Sequence, residues 1–172
     1  MARSRHVPPP AEATPQDRDR LWQRLADLRV AMLTTHDHDG SLNGRPVTTL
    51  RIEPEGTLWF FVARDGGIAE DLQRNPHVNV CFMDVGDDTY AWLRGRGKLV
   101  DDREKVKDLW STMAGAWFPG GPGDRNLGLL EVTVDRGDYW DVTSSKLVQF
   151  FSLAAAAIAR KPPGEVGAHR RL

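Results

Sequence analysis

Three stretches of this 172-residue chain carry residue types that could do chemistry. In Gly44-Arg45-Pro46-Val47-Thr48-Thr49, a proline interrupts a β-rich run. Proline removes a ladder donor, so strands tolerate it mainly at an edge or a bulge. A planar heterocycle on such a strand could take hydrogen bonds from the Val47 and Thr48 amides, and Arg45 offers a fork of donors to a phosphate. A plain edge strand with a solvated arginine has the same sequence. In "WFFVARDGGIAEDL", Trp59 to Leu72, a strand ends at Ala63 and a helix begins near Ile68 across the turn "RDGG". Helix N-termini present unpaired amides to anions, and glycine admits a ligand to the backbone. Apart from Arg64, however, the turn has no Ser, Thr or Lys, and Asp65 would repel a phosphate, so an ordinary turn is the other reading. In Trp117-Phe118-Pro119-Gly120-Gly121-Pro122-Gly123, two adjacent aromatics lie in a loop where regular structure cannot bury both, which suits a ligand wall or a dimer contact. Trp140, at a strand end, is a similar candidate or else core filler.

Two weaker signals have simpler explanations. His36-Asp37-His38-Asp39 spaces two imidazoles as a strand-borne metal pair would, but no third motif accompanies it and the following glycine marks a turn. "RGRGK", Arg94 to Lys98, sits between "YAWL" and "LV" and reads as a glycine-broken strand rather than an RNA-binding tract. The chain has no Walker loop, nucleophile elbow or His-Glu zinc motif.

The elements that must position these residues follow from periodicity. Thr14-Pro15-Gln16-Asp17 combines a capping hydroxyl with proline at the first helical position, and Leu21, Trp22, Leu25 and Leu28 then recur at helical spacing. Three β-rich runs follow, "VAMLTT", "RPVTTLRI" and "GTLWFFVA", separated by glycine-ending turns. The short helix "IAEDLQR" stops at Asn75-Pro76. "HVNVCFMD" and "TYAWLRGRGKLV" form a second hairpin. "DREKVKDLWSTMA" places Val106, Leu109, Trp110 and Met113 on one helical side. A last strand begins near Leu127, and a helix is expected over Ser144 to Arg160. Six strands joined mostly by tight turns argue for an antiparallel α+β barrel, not a Rossmann sheet.

Composition fits one domain: 40% hydrophobic, 27% charged. We expect a flexible arm over 1–14, the domain over 15–160 and a tail over 161–172. The formal net charge of -1 disfavours nucleic acid as a partner. The longest apolar run, "LAAAAIA", is far short of the roughly 20 residues that span a bilayer, so no membrane association is expected. The N-terminus lacks the apolar segment of a secretory signal, and the single cysteine, Cys81, forms no intrachain disulfide; both fit a cytoplasmic protein.

Taken together, "DGSLNGRPVTTL", "GTLWFFVARDGGIAEDLQRNPHVNV", "LWSTMAGAWFPGG" and "YWD" resemble the general stress protein branch of the pyridoxamine 5'-phosphate oxidase-like family, the FMN-binding split barrels. The resemblance runs from about Leu21 to Ile158. It implies a homodimer of six-stranded split barrels, α+β in class, with two flavin sites at the subunit interface and a small-molecule substrate or electron donor. On it, Arg45, Pro46, Val47 and Thr48 lie along the flavin, with the strand continuing to Leu50. Phe61, Val62, Ala63 and Arg64, with Gly67 and Ile68, meet the ribityl chain and phosphate, while Trp117 of the partner chain and Phe118, together with Trp140, form walls. The family usually carries threonine, serine and lysine where this chain has Val62, Gly66 and Ile68, and these grip the phosphate. The resemblance therefore implies an FMN-dependent oxidoreductase, or a dimer with a degenerate phosphate site that takes FAD, deazaflavin or haem, or a non-catalytic stress-related binding protein. It does not extend to the pyridoxamine phosphate oxidase reaction itself, for no basic cluster near the C-terminus resembles a substrate-phosphate site.

Overall fold

A computed structural model describes residues 11–12, 15–141 and 168–171. In chain order the elements are β1 (Ala11–Glu12), α1 (Pro15–Asp27), β2 (Val30–His36), β3 (Leu42–Ile52), β4 (Thr57–Ala63) and α2 (Gly67–Arg74). They continue with β5 (His77–Asp84), β6 (Thr89–Val100), α3 (Arg103–Leu109), β7 (Leu127–Asp141) and β8 (Ala168–Arg171). The Thr14 cap and the helix expected over Ser144 to Arg160 lie outside the described residues.

Six strands run in the order β7-β4-β3-β2-β5-β6, and β6 pairs again with β7, so the sheet closes into an antiparallel barrel. Closure leaves each strand with neighbours on both sides, which removes the free edges of an open sheet. β8 extends from the far half of β7, and β1 pairs with it in parallel. Residues expected to belong to the arm and tail thus add to the sheet outside the ring.

Alternation decides what fills the barrel. Leu33, Val47, Phe60, Phe82, Leu93 and Val132, one from each strand, are all buried within a single core cluster. Each such side chain taken out of water stabilises by about 1.5–3 kcal/mol. Leu21, Trp22 and Leu25 of α1 and Leu72 of α2 belong to the same cluster. β4 is apolar on both faces because both are covered. Leu58, Phe60 and Val62 point into the barrel, while Trp59 joins a second cluster with Val106 and Leu109 of α3. That is why "TLWFFVA" reads as an unbroken apolar run.

Gly95 explains the glycine-broken strand. The β6–β7 register shifts at Arg94/Gly95, and a Cβ on Gly95 would lie 2.1 Å from the Thr133 carbonyl oxygen. Only glycine fits that approach.

The third helix is shorter than its periodicity predicts. Asp102 caps it by accepting from the Lys105 amide at 2.8 Å, but the chain turns extended at Trp110 and Met113 is 51% exposed. The Trp110 ring packs against Phe61, centroids 5.9 Å apart, so tertiary contact overrides the helical pattern here.

Lys105 also ties α3 to the barrel. Its Nζ lies 4.7 Å from the centre of the Trp59 ring and donates to Glu53, and that hydrogen bond holds the Glu53 carboxyl below the usual glutamate range. A depressed carboxylate contributes stability that is present above its unfolded pKa and lost as pH falls through the folded value. Glu53→Gln should therefore cost up to about 1 kcal/mol at pH 7. The gap to the parent should close as urea melts are taken below about pH 4; a gap that persists in acid would remove the ion pair as its cause.

Candidate functional site

The seam between β3 and β4 is not fully zipped. β3 pairs with β2 from Leu42 to Thr48, but it meets β4 only at Thr49, Arg51 and Ile52, with Leu50 as the extra residue of a bulge. Continuing the Thr49–Phe60 register would set Thr48 opposite Phe61, Val47 opposite Val62 and Pro46 opposite Ala63. None of these pairs is present, so the strands part beyond the bulge. A cavity of about 390 Å³ lies along the gap, within the size range of small-molecule and cofactor sites.

Backbone phase determines which amides face the opening. Thr49 N–H donates to the Arg29 carbonyl at 3.0 Å, toward the β2 side. Antiparallel alternation then turns the Arg45 and Val47 amides to β2, and Pro46 and Thr48 to the open edge. Pro46 therefore sits where its missing donor breaks no ladder bond. The expectation that both Val47 and Thr48 amides are available is corrected on this ground, since Val47 N–H faces the ladder.

Arg45, Ala63, Gly66 and Gly67 form one end of the cavity. Arg45 Nη1 donates to Thr35 Oγ1 at 2.8 Å and to Asp71 Oδ2 at 3.0 Å, and Thr35 Oγ1 donates to the same carboxylate oxygen at 2.6 Å. The Asp71 side chain, on α2, is 4% exposed and Thr35 is fully buried. A Cβ on Gly67 would lie 2.9 Å from Arg45 Nη2, so glycine there leaves the guanidinium its place. Gly66 is the N-cap of α2 without a side-chain cap. Val62 belongs to the barrel core, and Ile68 packs against it. Arg64 does not line the cavity: its Nε donates to the Leu127 carbonyl at 2.9 Å and its Nη2 pairs with Asp101.

The other end is apolar. Leu50, Phe61, Met113 and Phe118 line it, with Phe61 and Phe118 edge to face at 6.3 Å. The aromatic pair divides its roles. Phe118 is buried in the second core cluster, whereas Trp117 is 79% exposed. Trp117 lines the cavity of its own chain, where the resemblance implied a wall from the partner. The Trp140 side chain lies outside the described residues; its backbone pairs with Tyr90, at the opposite end of β7 from Leu127.

Sequence reading missed Ser111, Met113, Ala114 and Asn126 as lining residues. Asn126 binds the turn after β4: its carbonyl accepts from the Arg64 amide at 2.8 Å and its side-chain oxygen from the Asp65 amide at 3.1 Å. Among the described residues, the lining apart from Arg45 offers only neutral side chains; none is Asp, Glu, His, Lys, Tyr or Cys. The Asp37, His38 and Asp39 ligand atoms cluster within 4.8 Å in the β2–β3 turn. Asp37 accepts there from Asn43, and the His38 side chain, also bonded to it, holds the Asp37 carboxyl below its usual range.

Comparison with known proteins places this geometry in context. The family model described as "Pyridoxamine 5'-phosphate oxidase like" matches residues 16–164. The chain is 26% identical over 159 residues to Protein bli-3 of Neurospora crassa, covering 83% of this chain and 76% of that one. It superposes with a TM-score of 0.73 and 26% identity on a Jannaschia structure described as a candidate general stress protein 26, covering 92% of this chain and 99% of the other. With a general stress FMN/FAD binding protein of Xanthomonas citri the TM-score is 0.66 and the identity 32%, over 77% of this chain and 93% of the other.

The phase of β3 is open to direct measurement. In amide hydrogen exchange on the ligand-free protein, Val47 and Thr49 should be protected at least about a hundredfold more than Thr48, because only Thr48 lacks a strand acceptor. Equal protection at Thr48 and Val47 would show that the alternation has been assigned the wrong way round.

Proposed function

The chain belongs to the pyridoxamine 5'-phosphate oxidase like family, in its general stress protein branch, and on that premise we propose that it is a cytoplasmic, homodimeric flavoprotein that binds FMN and passes electrons to or from a small molecule. The observation that carries this reading is the parting of β3 from β4, which opens a slot with a free strand edge on one side and aromatic walls at one end. The residues present fit a flavin. Thr48 N–H, on the open edge, would donate to a heteroatom of the ring. Leu50, Phe61 and Phe118 would pack on its apolar portion, and Trp117 would cover it from the exposed side. Arg45 and the first amides of α2 would meet the ribityl and phosphate end.

A bound flavin supplies reversible electron transfer, a chemistry that none of the described side chains of the cavity offers. The chain positions the ring and keeps water from its walled face. Among the described residues no titratable acid or base besides the arginine lines the cavity, so on the part of these residues the protons exchanged during turnover would come from solvent. Val62, Gly66 and Ile68 support the second reading, a dimer whose cavity takes FAD or another flavin-like ligand, or that binds without turnover.

Dimerisation has support in the outer face of the barrel. Val30 and Met32 are 59% and 44% exposed, Met32 stands opposite Pro46 on one side and Cys81 on the other, and Met83 is 66% exposed. This apolar face runs up to Pro46 and Thr48 at the cavity rim. Among the described residues no helix is long and apolar enough to cross a membrane, and Cys81 is half-buried.

Two measurements test the proposal. Titration with FMN should quench tryptophan fluorescence, and Trp117→Phe should remove most of the quenching. A folded protein that binds neither FMN nor FAD would end the flavoprotein reading. In sedimentation, the parent should run as a dimer and Met32→Asp should shift it toward monomer at micromolar concentration; a parent that stays monomeric would refute the dimer.

A further inference from the structure

The Arg45, Thr35 and Asp71 cluster carries a consequence for what the cavity selects. At the polar end of the cavity, Arg45 is the only cationic side chain among the described residues of the lining. Its Nη1 is engaged twice, by Asp71 and by Thr35. Asp71 is almost wholly buried, and Thr35 completes its hydrogen bonding, so the carboxylate stays beside the guanidinium. Arg45 thus reaches the cavity with its charge already balanced. Among the described residues no neighbour restores a positive field: Gly66 and Gly67 carry no side chain, Val62 and Ile68 are apolar, and Arg64 is turned away to Asp101. Asp65 adds an exposed carboxylate at the same turn, and the side-chain oxygen of Asn126 accepts from its amide.

We propose that this pocket recognises a flavin through its ring system and is nearly indifferent to the phosphate, so that riboflavin, FMN and FAD bind with similar affinity. The inference rests on the flavin reading above and narrows its ligand class to flavins of any terminal charge. Shape and the Thr48 amide select the ring, while the first-turn amides of α2 remain to solvate whatever group follows the ribityl chain. A chain that balances its arginine internally also makes binding weakly dependent on salt, because no net ion pair forms with the ligand.

The test uses the full-length protein and three probes: riboflavin, FMN and FAD, each titrated by fluorescence at low and high salt. The three dissociation constants should agree within about tenfold, and that for FMN should change less than about threefold between 50 and 500 mM salt. Asp71→Asn keeps the shape and hydrogen-bonding reach of the side chain but releases the arginine charge. It should tighten FMN about tenfold or more relative to riboflavin. Should that buried substitution not fold, Ile68→Lys adds a cation at the same end from a partly exposed position and should shift the FMN to riboflavin ratio in the same direction. A parent that prefers FMN to riboflavin by more than about tenfold overturns the inference while leaving the flavin reading intact. Failure to bind any of the three overturns both.

Discussion

A single extra residue in β3 governs this molecule. In a closed ring of six strands every edge is paired, and a closed barrel packed with Leu, Val and Phe has no room for a ligand inside. The bulge at Leu50 lets β3 and β4 pair at one end and part at the other without opening the ring, because β3 keeps β2 and β4 keeps β7. The cavity is the space between two strands that are each held on their outer side. The proline at position 46, the free amide at 48 and the lining by Phe61 to Ala63 follow from that parting.

The walls depend on β4 being covered twice. Its inward residues belong to the barrel core and its outward residues to the cluster under α3, so the strand cannot slide to close the gap without losing one set or the other. Phe118 is drawn into the second cluster, which fixes the loop carrying Trp117 beside the opening. At the other end, Asp71 ties α2 to β2 and β3 through Thr35 and Arg45. Removing one partner of a buried ion pair is costly because the other charge is left uncompensated, on the order of 3–5 kcal/mol when fully buried and less where, as here, the arginine is 31% exposed. The same contact that anchors the helix therefore also sets the charge presented to a ligand.

Membership in the family and the details of the site pull in different directions, and both have physical content. The likeness to general stress proteins, over 92% and 77% of this chain, concerns the fold as a whole. At the polar end this chain presents Val62, Gly66 and Ile68, at the positions where the resemblance implies hydroxyls and an ammonium. A fold can keep a slot for a ring while changing how much it asks of a phosphate, because on the proposed reading the two would be met by different elements, the edge of β3 and the start of α2.

Much of this was legible in the sequence, because strand and helix periods, turn glycines and the Asn75-Pro76 stop are local signals. The six strands, the first two helices and the convergence of Arg45 to Thr48 with Phe61 to Ala63 could be read from such signals and from family likeness. What could not be read depends on which strand lies beside which. The choice between Val47 and Thr48 as open amides needed the phase of β3 against β2, and the short third helix needed Trp110 to find Phe61. Splitting Trp117 from Phe118 required a second cluster assembled from three separate elements. The pairing of Arg45 with Asp71 joins residues 26 positions apart on a strand and a helix. Residue type decided what each segment could become; distance between segments decided which amides stayed open and which charge was already matched.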